Sequence, residues 1–215
     1  MDSYRQLPIT NYRLLWQLGL TTVLMAYFLP WLPHPAAGLS FIGLEMGEWV
    51  KFLPQVQAGE IAPGRHLFYL PPITLGLILA LLTATWPNGR WPTWAMRGLA
   101  VAVSWLAFPA VEELALERIR LLGIGLVILV TILSSFAAQW PGRWLSLLLR
   151  LLVVIAALAG AVLPTWAYLA VRPAVSQVLA EGVGIGPGVW LNLAGHLMVV
   201  IAGIKPDRIS ETYQV

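Results

Sequence analysis

Charged residues along this chain stand in small clusters, and the stretches between the clusters are almost continuously apolar. Arg13 and His34 bracket the first such run and His66 and Asn88 the second. Arg97 and Glu112, Arg120 and Arg143, Arg150 and Arg172, and Glu181 and Lys205 bracket the rest. A helix rises about 1.5 Å per residue and the hydrocarbon core of a bilayer is about 30 Å thick, so about 20 apolar residues cross it. All but the third run reach that length as they stand. The third reaches it as 94–116, which takes Glu112 and Glu113 to an interface. The pattern predicts an all-α fold, a polytopic transmembrane helical bundle of six spans over 14–33, 67–87, 94–116, 120–140, 147–171 and 187–204. They form a single domain, 1–204, followed by a cytoplasmic tail, 205–215.

The connection 34–66 is longer than the others and carries its own periodicity. Glu45, Glu48, Lys51 and Gln55 recur at spacings of three and four, opposite Phe41, Ile42, Leu44, Met46, Trp49, Val50, Phe52 and Leu53. This predicts an external, interfacial amphipathic helix over Gly43–Leu53, lying in the headgroup plane or over the bundle and ended by Pro54. Pro71 and Pro72 fit the opening turn of the second span, where a missing N–H costs least. Pro164 should kink or end the fifth span. Gly182, Gly184, Gly186 and Gly188 predict a flexible hinge before the sixth.

Composition supports the membrane assignment. Hydrophobic residues make up 59% of the 215 and charged residues 11%, against about 25% charged in a soluble domain. The absence of cysteine excludes a disulfide scaffold and cysteine-ligated zinc or iron–sulfur centres. The 13 basic residues are scattered singly near the ends of apolar runs, which fits anchoring in a lipid bilayer and not a nucleic-acid surface. Eight of them (Arg5, Arg13, Arg90, Arg97, Arg143, Arg150, Lys205, Arg208) fall on the side of the termini. Basic residues favour the cytoplasm, so both termini are expected there, with the protein in the cytoplasmic membrane and 34–66 outside. Many tryptophans, among them Trp16, Trp31, Trp91, Trp94, Trp144 and Trp166, fall near span ends, where an indole keeps its N–H wet. The first run is too long for a signal peptide's apolar region and lacks a small-x-small site, so it is expected to remain as a span.

Chemistry-bearing residues are few. His196 falls near mid-depth in the sixth span with Asn192 one turn earlier, and Gly188, Gly195 and Gly203 line that side. Small residues let helices approach, and Asn and His then hydrogen-bond across the contact. Gly98 with Ala102, Ala156 with Gly160 and Ala157 with Ala161 are read as packing positions of the same kind. The alternative for His196 is axial ligation of a haem or a chlorophyll-type pigment. His34, His66, Glu45 and Glu48 share one loop and offer a weakly patterned metal site. Phe108–Arg118, with Glu112-Glu113, resembles the first motif, E-E-x-x-x-R, of intramembrane CAAX-type proteases. Glu117 occupies the sixth position instead, the arginine comes one residue late, and the later histidine motifs of that family are absent. No catalytic role is therefore read there, and Glu117 and Arg120 can pair within one helical turn. The expectation is a non-enzymatic accessory or scaffold subunit that docks other integral membrane subunits. Gly188, Asn192, Gly195 and His196, together with Glu45, Glu48, Lys51 and Trp49, serve as its packing and interaction residues. The alternatives are a permease-like protein for a neutral or lipidic solute, with the outer helix as lid, and a pigment- or haem-bearing subunit through His196.

Overall fold

The computed structural model describes residues 12–34, 40–61, 64–108, 118–137 and 142–204. Glu112, Glu113 and Glu117, the ends of the expected third and fourth spans, and the tail 205–215 lie outside them. The described chain is nearly all helical. Its long helices are α1 (Tyr12–Tyr27), α4 (Leu70–Leu82), α5 (Trp91–Ser104), α6 (Arg118–Ala137), α7 (Arg143–Val178) and α8 (Pro187–Ile204). Two short helices, α2 (Gly43–Val50) and α3 (Pro54–Gln57), and a two-stranded antiparallel ribbon of β1 (Pro30–Leu32) and β2 (Phe41–Ile42) fill the long connection. Single 3₁₀ turns at Arg65–Tyr69 and Thr83–Thr85 extend α4 at both ends, and one at Trp105–Ala107 extends α5.

Among the described residues, four helical segments are long and apolar enough to cross a membrane: Arg65–Thr85, Arg118–Ala137, Arg143–Val178 and Pro187–Ile204. The first is the hub. Its apolar window is 72% buried, against 22% for α6 and 28% for α7, because α4 packs on α1, α5, α6 and α7 at once. On the far side α8 lies between α1 and α7.

Several expectations change. α1 stops at Tyr27, so the last residues of the expected span 14–33 are not helical. Pro30–Leu32 bonds to Phe41–Ile42 instead, and Trp31, expected at the lipid interface, is fully buried with its Nε1–H donating to the Ala26 carbonyl at 2.9 Å. Pro164 and Pro173 both sit inside α7, which runs through them for 36 residues. Pro54 opens α3 at its first turn, while α2 has already closed at Val50. The glycine hinge is pinned: Gly186 N–H donates to the Trp31 carbonyl at 2.9 Å, and a Cβ there would run into the backbone of Pro30 and Trp31. Gly98 and Ala102 face outward, with open space around Gly98. The close approach of α4 and α5 falls instead at Gly76, whose backbone lies against the Ala100 carbonyl.

Candidate functional site

Polar side chains inside the bundle gather at three levels of α4. The outermost begins on α2, where Met46, Gly47 and Val50 point inward and seat the helix on a core that includes Trp31, Phe68, Tyr168 and Val189. Gly47 permits this seat, because any Cβ there would overlap the Tyr69 ring. α2 therefore packs over the bundle and does not lie free in the headgroup plane. Glu45 remains exposed and accepts the Ile42 N–H at 3.2 Å, which satisfies one free donor at the helix start. Trp49 stacks at 4.8 Å between centroids on Phe41.

Glu48, expected on the polar stripe with Glu45 and Lys51, turns inward. Its Oε1 lies 2.6 Å from Arg120 Nη2 and accepts the Tyr69 hydroxyl at 2.7 Å, while Lys51 Nζ reaches Oε2 at 3.0 Å. Arg120, only 2% exposed, also donates to the Tyr69 oxygen at 2.7 Å and stacks 3.7 Å over that ring. Burial raises the carboxyl's affinity for a proton. The hydrogen bonds from Tyr69 and Lys51 and the Arg120 guanidinium outweigh that and hold the Glu48 pKa down to about 2. Sequence reading missed this cluster because Arg120 sits in a row of outer charges with nothing to mark it as buried.

The middle level holds the expected pair. His196 and Asn192 are fully buried on α8. The Asn192 side-chain amide donates to the Gly160 carbonyl at 3.0 Å. The Asn192 carbonyl can only accept, so His196 Nδ1, 3.0 Å away, carries the ring proton. Nε2 can then only accept, and it faces the Thr74 hydroxyl at 3.1 Å, whose single proton it shares with the Leu70 and Pro71 carbonyls at 2.8 and 3.1 Å. Both ring nitrogens are engaged by the protein, and Gly160 leaves no room beside them, since a Cβ there would strike both Nε2 and the Thr74 hydroxyl. Gly195 packs against Gly19 and Val23 of α1, and Gly188 against Trp31.

At the third level, Arg97 on α5 is enclosed by Thr83, Asn88 and Ser134. Asn88 Nδ2 donates to the Ser135 carbonyl at 2.6 Å, and Thr93 donates to the Pro87 carbonyl at 2.8 Å. Sequence reading placed Arg97 near the cytoplasmic end of the third span, among the basic residues on the side of the termini. It is 2% exposed, because α5 starts at Trp91 and carries Arg97 into its second turn.

The loop residues proposed for a metal do not converge. His34 pairs with Glu181 at 3.3 Å, and among the described residues no group of three or more histidine or acidic side chains is placed to hold an ion. An open hollow of about 480 Å³ beside α2 and α3 is lined by Lys51, Phe52, Val56, Gln57, Arg65 and His66. Comparison with protein families, with curated proteins and with solved structures found no match to the chain.

Proposed function

We propose that the chain crosses the cytoplasmic membrane six times, with both termini cytoplasmic, and serves as a non-enzymatic accessory or scaffold subunit of a larger membrane complex. Six crossings are supported by the company the two shorter helices keep. α1 runs along α8, and α5 runs along α4, each beside a partner long enough to span. The ends alternate accordingly. The end of α1 and the starts of α4, α6 and α8 meet the Trp31 and Tyr69 region, while the end of α4, the start of α5 and the end of α6 meet at Arg97.

The observation that carries the subunit reading is the outward surface of α6 and α7. Leu122, Leu126, Leu129, Leu133 and Phe136 form an exposed ridge on α6, and Leu151, Ile155, Leu158 and Val162 one on α7. Each ridge repeats at alternating spacings of three and four, the seam one helix offers another. The three polar levels bond largely within themselves, and among the described residues no charged side chain lies between the outer and inner levels of α4, which speaks against an ion pathway. The double engagement of His196 supports a packing role over axial ligation of a pigment.

Purification from native membranes in mild detergent, with mass spectrometry and an absorption spectrum, tests this. A stoichiometric integral membrane partner is expected. A colourless monomer would refute the subunit reading and favour a permease for a neutral solute.

A further inference from the structure

Arg97 is a cation enclosed in protein with only neutral acceptors around it among the described residues. Nε donates to the Ser134 hydroxyl oxygen at 3.2 Å, and Nη2 to Asn88 Oδ1 at 2.9 Å and the Thr83 carbonyl at 3.4 Å. Nη1, also buried, has no hydrogen-bond partner among the described residues. The described carboxylates, Glu45, Glu48, Glu60 and Glu181, belong to the opposite end. Glu48 meets Tyr69 where α4 begins and Arg97 meets Thr83 where it ends, which puts about 20 Å of helix between the two charges. Glu48 is in any case already answered by Arg120 and Lys51. A guanidinium taken out of water is costly unless an anion answers it.

We infer that Arg97 is the centre of a binding site for a phosphate-bearing anion, the headgroup of an acidic phospholipid. Phosphate fits because a guanidinium presents paired donors that match its oxygens, and Nη1 is the donor left over. The lipid source fits the surroundings. Trp91 and Trp94, 78% and 57% exposed, stand outward at this level beside exposed Arg90, and such an aromatic and basic fringe marks headgroup depth. The Trp94 ring lies 5.0 Å from the guanidinium carbon, and its indole N–H donates to the Asn88 carbonyl at 2.8 Å; breaking that one bond lets the exposed ring swing aside and opens Nη1 to a headgroup. In the orientation proposed above this level faces the cytoplasmic leaflet, the one that carries acidic lipids. The inference rests on the membrane reading, and membrane fractionation tests that reading separately.

The experiment compares lipids of identical chains. Full-length protein in detergent is melted after adding phosphatidylglycerol, phosphatidylcholine or inorganic phosphate. Phosphatidylglycerol should raise the melting temperature by about 2–4 °C over phosphatidylcholine. That difference should vanish in Arg97→Gln and persist in Arg90→Gln, an exposed charge on the same fringe. A purely structural Arg97 would lower the melting temperature equally in both lipids. A shift produced by inorganic phosphate alone supports the anion site and assigns it to free phosphate. If Arg97→Gln does not fold, native mass spectrometry of the wild type decides: retention of phosphatidylglycerol over phosphatidylcholine supports the site. Equal retention of the two lipids, or a difference surviving in folded Arg97→Gln, overturns it.

Discussion

Two glycines in this bundle should respond with opposite sign to the same added methyl. Gly195 lies where α8 meets α1, and a Cβ there would sit 2.8 Å from Val23 Cγ2, 2.9 Å from the Gly19 carbonyl oxygen and 2.9 Å from the Val23 nitrogen. Comfortable contact between heavy atoms begins near ~3.5 Å, so the methyl is about 0.6 Å too close. Two of the three obstacles are backbone, which no rotamer change can move. α1 must back away, and the loss spreads along its whole seam with α8. Overpacking of this kind costs about 1–3 kcal/mol, or a fall of roughly 2–12 °C in melting temperature for a protein of this size. Gly98, mid-helix in α5, has nothing within 4 Å of its virtual Cβ. Alanine there removes only glycine's excess chain entropy and should stabilise by about 0.5–1 kcal/mol. Gly195→Ala, Gly195→Leu and Gly98→Ala would be melted in detergent, with circular dichroism confirming helix content. A Gly195→Ala protein as stable as wild type, or a Gly98→Ala protein less stable, would refute the packing argument.

Glu48→Gln should loosen the outer cap by about 2–3 kcal/mol, the worth of a hydrogen bond to a charged partner, read as faster proteolysis between α2 and α4. In the wild type the Glu48 carboxyl sits below its ordinary 4.5, at about 2, so its stabilisation is intact above about pH 5 and is lost as pH falls from 4.5 towards 2; a melting profile flat across pH 3–5 would contradict this. Glu60→Cys and Gly89→Cys, in a chain that has no cysteine, should respectively react and stay silent with an impermeant maleimide on intact cells. The reverse pattern overturns the orientation. His196→Gln should fold and leave the absorption spectrum unchanged, since losing one interhelical hydrogen bond in a membrane costs about 0.6 kcal/mol on average; a visible band in the wild type that disappears in the variant would restore the pigment reading.

Helical character and the long apolar segments were legible from periodicity alone. The sixth run, predicted at 187–204, coincides with α8, because glycine and proline mark its start. The first run was overread, since Phe28 to Leu32 is as apolar as the helix before it and hydropathy does not separate a buried strand from a buried turn of helix. His196 and Asn192 stood out because an isolated polar residue in a span must find a partner. The Glu48–Arg120 and Arg97 clusters were invisible for the converse reason. A charge at the end of an apolar run looks the same whether it snorkels to water or folds inward, and only the packing of α2 on Tyr69, or of the 83–90 turn on α5, distinguishes the two.

The three polar levels also explain how α4 finds one position among many. In lipid the apolar contacts are nearly indifferent to register, because acyl chains are as apolar as leucine and compete for the same surface. Tyr69, Thr74 and Thr83 are not indifferent. Tyr69 meets Glu48 of α2 and Arg120 of α6, Thr74 meets His196 of α8, and Thr83 meets Ser134 of α6 through its hydroxyl and the Arg97 guanidinium of α5 through its backbone carbonyl. At about 100° per residue, Thr74 and Thr83 project half a turn apart, so their partners bind opposite sides of the helix. A slip of one residue would raise α4 by about 1.5 Å and rotate all three side chains away from their partners together. Each bond alone is weak. Placed at three heights and on different sides, they select one height and one rotation for the helix on which the remainder of the bundle packs.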